Sequence, residues 1–156
     1  METMVKVMAT GTFDLLHMGH IYYLKEAKKL GDTLIVVVAT DATVRKLKHD
    51  PITPQEIRVN LIKELKMVDE AYLGHVDDMY SIVEEIKPDI IALGFDQIHD
   101  ETTIKNELKK RRLNVRVVRL SKYQGENDLE GTRRIIQKVI AAHEFQKKMQ
   151  RIEGEP

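Results

Sequence analysis

Apolar positions along this chain fall into two periods. Val5-Lys6-Val7-Met8-Ala9 reads as a short strand, and Leu34-Ile35-Val36-Val37-Val38-Ala39 is a continuous apolar run, the pattern of a strand buried on both faces. Ile90-Ile91-Ala92-Leu93 and Val115-Arg116-Val117-Val118 read as two more strands, with Ala71-Tyr72-Leu73 a weaker one at a sheet edge. Between them the spacing turns helical. Residues 20–30 place Ile21, Leu24, Ala27 and Lys28 on consecutive turns, and a second helix over 54–66 opens with Thr53 as N-cap and Pro54 at its first position. Further helices are predicted over 79–86 and 101–112. A long one starts near Leu129 and carries Ile136, Ile140 and Phe145 at helical spacing. The stripe of Leu129, Ile136 and Ile140 reads as core or as a subunit contact, and residues 143–156 as a polar, fraying tail.

Strands alternating with helices imply βαβ units with right-handed crossovers around a parallel sheet. The predicted fold is therefore α/β: a doubly wound, Rossmann-like sheet of about five strands. The expected division is a single domain over 1–142 followed by the tail. Ligands on such sheets sit beyond the carboxyl ends of the strands, which directs attention to the residues after Ala9, Ala39, Leu93 and Leu120.

Composition narrows the class. With 156 residues, 42% hydrophobic and 32% charged, the chain can bury a full core without disulfides. The absence of cysteine excludes disulfides, thiolate metal sites and cysteine nucleophiles. No apolar run approaches the roughly 20 residues of a membrane helix, and no signal-peptide pattern opens the chain, so a cytoplasmic protein with no membrane partner is expected. The net charge of zero argues against coating nucleic acid. That zero is a sum of unlike parts: counted along the sequence, residues 1–50 are slightly basic, 51–100 strongly acidic and 101–156 strongly basic. Binding is therefore steered by local fields.

The chemistry concentrates after the first strand, in Thr10-Gly11-Thr12-Phe13-Asp14-Leu15-Leu16-His17-Met18-Gly19-His20. Two imidazoles three residues apart, at a turn entering a helix, share a face of its first turn. Gly19 removes a side chain where a ligand would approach the backbone. The amides and the dipole of a helix start favour an anion, phosphate above all. Taken alone, His-x-x-His at a helix start is more often an ordinary polar pair. A zinc pair finds no third ligand at the right spacing nearby.

A Gly-Thr-Phe-Asp turn followed by His17-Met18-Gly19-His20, directly after the first strand of a parallel sheet, resembles the nucleotidyltransferase superfamily with its H-x-G-H motif. The resemblance runs from Val5 to about Ile140. Within the superfamily it is greatest to the small single-domain group of glycerol-3-phosphate cytidylyltransferases and archaeal FAD synthases. It implies attack by a phosphate monoester on the α-phosphorus of a nucleoside triphosphate, with release of pyrophosphate. Such a monoester has its second pKa near about 6, so at neutral pH it is largely its own nucleophile. Alignment and positive groups then carry the catalysis.

On this resemblance His17 and His20 hold the α/β-phosphates and the developing charge. Lys46, among the cations of Thr40-Asp41-Ala42-Thr43-Val44-Arg45-Lys46-Leu47-Lys48, reaches the acceptor phosphate, and Arg58 matches the arginine of a P-x-x-x-R stretch. Gly94-Phe95-Asp96-Gln97 resembles the FAD synthases, in which this aspartate contacts ATP. Of the R-T-x-G-I-S-T element of cytidylyltransferases the last loop keeps only Gly131-Thr132, here followed by Arg133, a departure that weighs against CTP. Tyr123 is expected near the adenine.

The implied nucleotide site is thus Thr12, Phe13, His17, Met18, Gly19, His20, Asp96, Tyr123 and Thr132. The implied acceptor site is Asp14, Lys46, Arg58 and Arg133. Phe13, Phe95, Tyr22 and Tyr123 are the candidates to stack on a flavin. Mg2+ is expected with the triphosphate, Asp14 or Asp96 being its candidate carboxylates. His49, His75, His99 and His143 read as solvated. The expected reaction joins ATP and FMN, and the resemblance implies a homodimer. The alternatives are cytidylyl transfer from CTP to glycerol 3-phosphate and a non-catalytic nucleotide sensor.

Overall fold

The computed structural model describes residues 3–47, 49–125 and 131–154. Five strands, β1 (Lys6–Gly11), β2 (Thr33–Val38), β3 (Glu70–Leu73), β4 (Ile90–Leu93) and β5 (Arg116–Arg119), form one parallel sheet in the order β3-β2-β1-β4-β5. The helices are α1 (Met18–Lys28), α2 (Asp41–Leu47), α3 (Gln55–Lys63), α4 (Ser81–Ile86), α5 (Glu101–Lys110) and α6 (Thr132–Gly154). The doubly wound sheet expected from the sequence is present, with β3 at its edge.

Each face of the sheet has its own core. Val7, Ala9, Leu34, Val36 and Val38 pack against Leu24 and Ala27 of α1 and Val59 and Ile62 of α3. On the other face Met8, Ile35, Val37, Ile91 and Leu93 meet Ile82, Val83 and Ile86 of α4 and Ile104 and Leu108 of α5. All five residues from Leu34 to Val38 are buried, which is why β2 reads as an unbroken apolar run. Burying its side chains contributes about 1.5–3 kcal/mol each.

Several boundaries differ from the sequence reading for identifiable reasons. The stretch after β2 contains a short helix, α2, that its mixed composition did not announce. Thr53 does not cap α3: the cap position is Pro54, with no side-chain bond, because the Thr53 hydroxyl is turned to Asp14. The chain after His143 continues as helix to Gly154. Its stripe is not core, since none of the described residues of α6 is buried; Ile140 is 56% exposed and Phe145 66%. Leu129 lies outside the described residues.

β1 is flanked by β2 on one side and β4 on the other, and the β1–β4 pairing ends at Ala9 and Ala92. Beyond that point side chains bridge the gap. The Tyr23 hydroxyl donates to the Ala92 carbonyl at 2.6 Å and accepts from the Thr10 amide at 3.2 Å, and Gln97 Nε2 donates to the Thr10 carbonyl. Burial pushes the Tyr23 phenol well above its ordinary pKa, so it remains a neutral donor. The crevice where doubly wound proteins bind ligands opens here.

Candidate active site

The turn from β1 into α1 is held in an unusual backbone. Phe13 and Leu15 both have positive φ, 56° and 51°, a conformation costing about 1–3 kcal/mol per residue outside glycine. Two anchors offset that strain. The Phe13 ring is buried, and Asp14 accepts from the Ile52 amide at 2.7 Å, the Thr53 amide at 3.0 Å and the Thr53 hydroxyl at 2.6 Å. Burial alone would raise the Asp14 carboxyl; the Thr53 hydroxyl, the two amides and the charge of Arg58 outweigh it and hold the pKa below the usual carboxylate value. Gly11 is required beneath this turn, because a Cβ there would lie 2.9 Å from Phe13 Cζ.

That turn sets the two imidazoles. His17 is the N-cap of α1 and its Nδ1 accepts from the Gly19 amide at 3.0 Å. The neutral ring therefore carries its proton on Nε2. His17 and His20 stack with ring centroids 3.7 Å apart and 24° between planes, and His20 meets the Phe13 ring edge-on at 5.4 Å. Phe13 thus buttresses the pair from the core. The Thr132 hydroxyl at the start of α6 donates to the Asp14 carbonyl at 2.8 Å, bringing a second helix N-terminus to the same turn.

On the β2 side the decisive residue is Arg58. It is fully buried, and its guanidinium donates to the carbonyls of Thr53 (2.9 Å), Thr12 (2.8 Å) and Ala39 (2.7 Å) and to Asp41 Oδ1 (2.6 Å). The arginine expected on a substrate phosphate is instead the staple joining the ends of β1 and β2 to the entry of α3. Asp14 is likewise engaged from within the protein, both of its oxygens accepting from the 52–53 segment. Phe13, 3% exposed, is a core ring and unavailable for stacking on a nucleotide or flavin. Lys46 is exposed on the last turn of α2, beside Arg45, which pairs with Asp50 at 2.6 Å. Lys48 is outside the described residues.

On the β4 side Asp96 and Phe95 are exposed in the loop after β4. Gln97 accepts from the Gly94 amide and bonds Thr10, while Arg119 of β5 holds the loop from below. The loop after β5 closes against α1: Tyr22 Oη lies 2.8 Å from Ser121 Oγ, the Tyr22 and Tyr123 rings are 5.4 Å apart, and Lys122 Nζ sits 5.6 Å from the Phe95 ring centre. Tyr22, Tyr123 and Phe95 are therefore grouped at the strand ends. Met18 and Arg133 are exposed at the starts of α1 and α6, and Thr12 is half-buried. Of the other histidines, His99 departs from its solvated expectation: burial first, then the charge of Arg119, lowers its pKa, whereas His75 pairs with Glu85 at 2.8 Å. Sequence reasoning missed Tyr23, Gln97 and Arg119. Tyr23 was within reach, lying next to the inward-facing Leu24; nothing in the pattern marks the other two.

A family model described as cytidylyltransferase-like matches residues 8–150. The chain belongs to this family. Curated relatives include a protein named FAD synthase from Aciduliprofundum boonei, 58% identical over 88% of this chain and 91% of its own length. Another FAD synthase, from Thermoplasma volcanium, is 51% identical over 88% of this chain and 97% of its own. Among solved structures, a Thermoplasma volcanium protein titled as a lipopolysaccharide core biosynthesis protein superposes with a TM-score of 0.77 at 54% identity, covering 78% of this chain and all of that one. A pantoate-β-alanine ligase from Francisella tularensis, 16% identical with a TM-score of 0.55 over 78% of this chain and 60% of its own, shares the fold alone.

Proposed function

We propose that this member of the family is an FMN adenylyltransferase: a phosphate oxygen of FMN attacks the α-phosphorus of ATP, the bond to the β-phosphate breaks, and FAD and pyrophosphate form. The observation that carries this reading is the set of FAD synthases at 50–58% identity over most of the chain, together with a histidine pair held for phosphate at the head of α1. His17 Nε2–H and His20 serve as donors to the phosphates, preorganised so that no reorientation is needed as charge develops. Gly19 and the α1 amides receive the same anion. Lys46 and Arg133 take the acceptor phosphate. Asp96, Phe95 and Tyr123 face the nucleoside and flavin portions.

Mg2+ suits this arrangement as a passenger of the triphosphate. Among the described residues no cluster of three or more His, Asp or Glu could cage a metal, and Asp96 is an exposed single carboxylate, the kind of ligand Mg2+ takes alongside substrate phosphates. When bound it neutralises charge on the leaving pyrophosphate. Residues 1–142 form the catalytic domain in this reading. The exposed Phe145, Met149 and Ile152, which share one face of α6, form the contact between two copies of a homodimer working in the cytoplasm. No helix among the described residues is long and apolar enough to cross a membrane.

Pyrophosphate release with Mg2+, measured for ATP or CTP against FMN or glycerol 3-phosphate, tests the proposal. Release with ATP and FMN is expected. Release only with CTP assigns cytidylyl transfer instead, and binding of ATP without release in any combination leaves a nucleotide sensor.

A further inference from the structure

Arg119, at the end of β5, and Arg58, in the first turn of α3, brace the loops on the two sides of β1. Each spends its guanidinium on three main-chain carbonyls and one carboxylate. For Arg119 these are Gly94 O at 2.9 Å, Gln97 O at 3.1 Å, His99 O at 2.6 Å and Glu101 Oε1 at 2.9 Å. Three carbonyls of a single six-residue stretch therefore converge on one side chain from the neighbouring strand. The planar fork of an arginine can satisfy such a set; a lysine ammonium, a point donor on a flexible stem, cannot span it.

The consequence lies on the opposite side of the loop. With its carbonyls turned down to Arg119, the loop sends Phe95, Asp96 and Ile98 outward, 48% and 80% exposed for Phe95 and Ile98. Gln97 extends the latch sideways, bonding Gly94 within the loop and the Thr10 carbonyl of β1, three residues before Phe13. Backbone bonding alone does not set this shape: the Gln97 amide to Gly94 carbonyl contact is long, at 3.3 Å. We infer that Arg119 is a positioning residue for the nucleotide, fixing the loop that presents Asp96 to the ATP side of the site without touching substrate itself. This rests on the assignment of the site to ATP and FMN above.

The test compares wild-type protein with Arg119→Lys and Arg119→Ala, reading Kd for Mg-ATP by titration calorimetry, KM for ATP and for FMN, and the thermal midpoint. Arg119→Ala is expected to weaken ATP about tenfold, roughly 1.4 kcal/mol, and to leave KM for FMN within about twofold of wild type. Arg119→Lys shows the same split in milder form, and methylguanidinium restores part of the ATP affinity of Arg119→Ala. A folded variant with unchanged ATP affinity and only a lowered midpoint overturns the inference, as does an equal rise in both KM values. Should Arg119→Ala not fold, Arg119→Lys carries the decision by the same criteria. Calorimetry also separates the two readings: wild-type protein that binds ATP but makes no FAD overturns the proposed activity and leaves the Arg119 comparison standing.

Discussion

Arg58 offers a sharp contrast between a residue that binds substrate and one that builds the site. Replacing it by leucine keeps much of its apolar stem volume and removes a guanidinium with zero exposure. Left behind are the carbonyls of Thr12, Ala39 and Thr53 and the Asp41 carboxylate, which is 21% exposed. Four charge-assisted bonds at about 1.5–3 kcal/mol each would overstate the cost, because the 39–41 and 52–55 segments can relax and water can reach Asp41. Breaking a buried pair from one side costs about 3–5 kcal/mol, and that range is adopted for Arg58→Leu.

Against a total stability of about 5–15 kcal/mol, and with about 2–4 °C per kcal/mol for a chain of this size, the midpoint should fall by roughly 6–20 °C. Arg58→Lys should lose a smaller part of it, since one ammonium cannot reach all four acceptors. Thermal and urea unfolding followed by circular dichroism read the loss; steady-state kinetics well below the lowered midpoint read KM for FMN and ATP. A midpoint within about 3 °C of wild type, with acceptor KM raised more than about tenfold, would refute the reasoning and return Arg58 to the phosphate.

Three further outcomes follow from the same turn. His20→Ala should lose turnover by about 10²–10³ with a midpoint change of only a few degrees; near-normal pyrophosphate release would remove the histidine pair from the mechanism. Gly11→Ala drives a methyl into the Phe13 ring at 2.9 Å, so overpacking of about 1–3 kcal/mol and displacement of His20 should lower both stability and rate, and an unaffected rate would mean that Phe13 does not set the imidazole. Asp14 binds its proton less readily when folded than when unfolded. Its contribution is thus present above about pH 4 and lost as pH falls through the folded pKa. Asp14→Asn should flatten that acid limb of the stability–pH curve, and an unchanged limb would place the acid sensitivity elsewhere.

Much of the architecture was legible because it is written in local patterns. A short unbroken apolar run rich in β-branched residues reads as a strand covered on both faces, and strands alternating with helices have few ways to pack, so the five-stranded parallel sheet followed from pattern. The His17–His20 turn was legible for a similar reason: Gly11, the H-x-G-H spacing and the strand before it are all contiguous. The end of α6 was not, because a polar composition permits either a solvated helix or a tail, and the helical residues 143–154 look the same as coil in sequence when nothing covers them.

What only the tertiary structure decided is which polar residue faces the ligand and which faces the protein. Asp14, Arg58 and Arg119 are chemically fit to bind phosphate, nucleotide or metal. Asp14 is spent on the 52–53 segment, 38 residues away, and Arg58 on carbonyls 5, 19 and 46 residues away. A side chain's charge is a property of its sequence position, but the partner that uses up that charge is brought to it by the crossing of strands, and burial then makes that partnership binding. The sequence by itself determined the sheet and the turn that carries the histidines. The fold decided that two arginines, one on each side of β1, serve as the frame, because only in three dimensions do the loop carbonyls that need their donors come within reach.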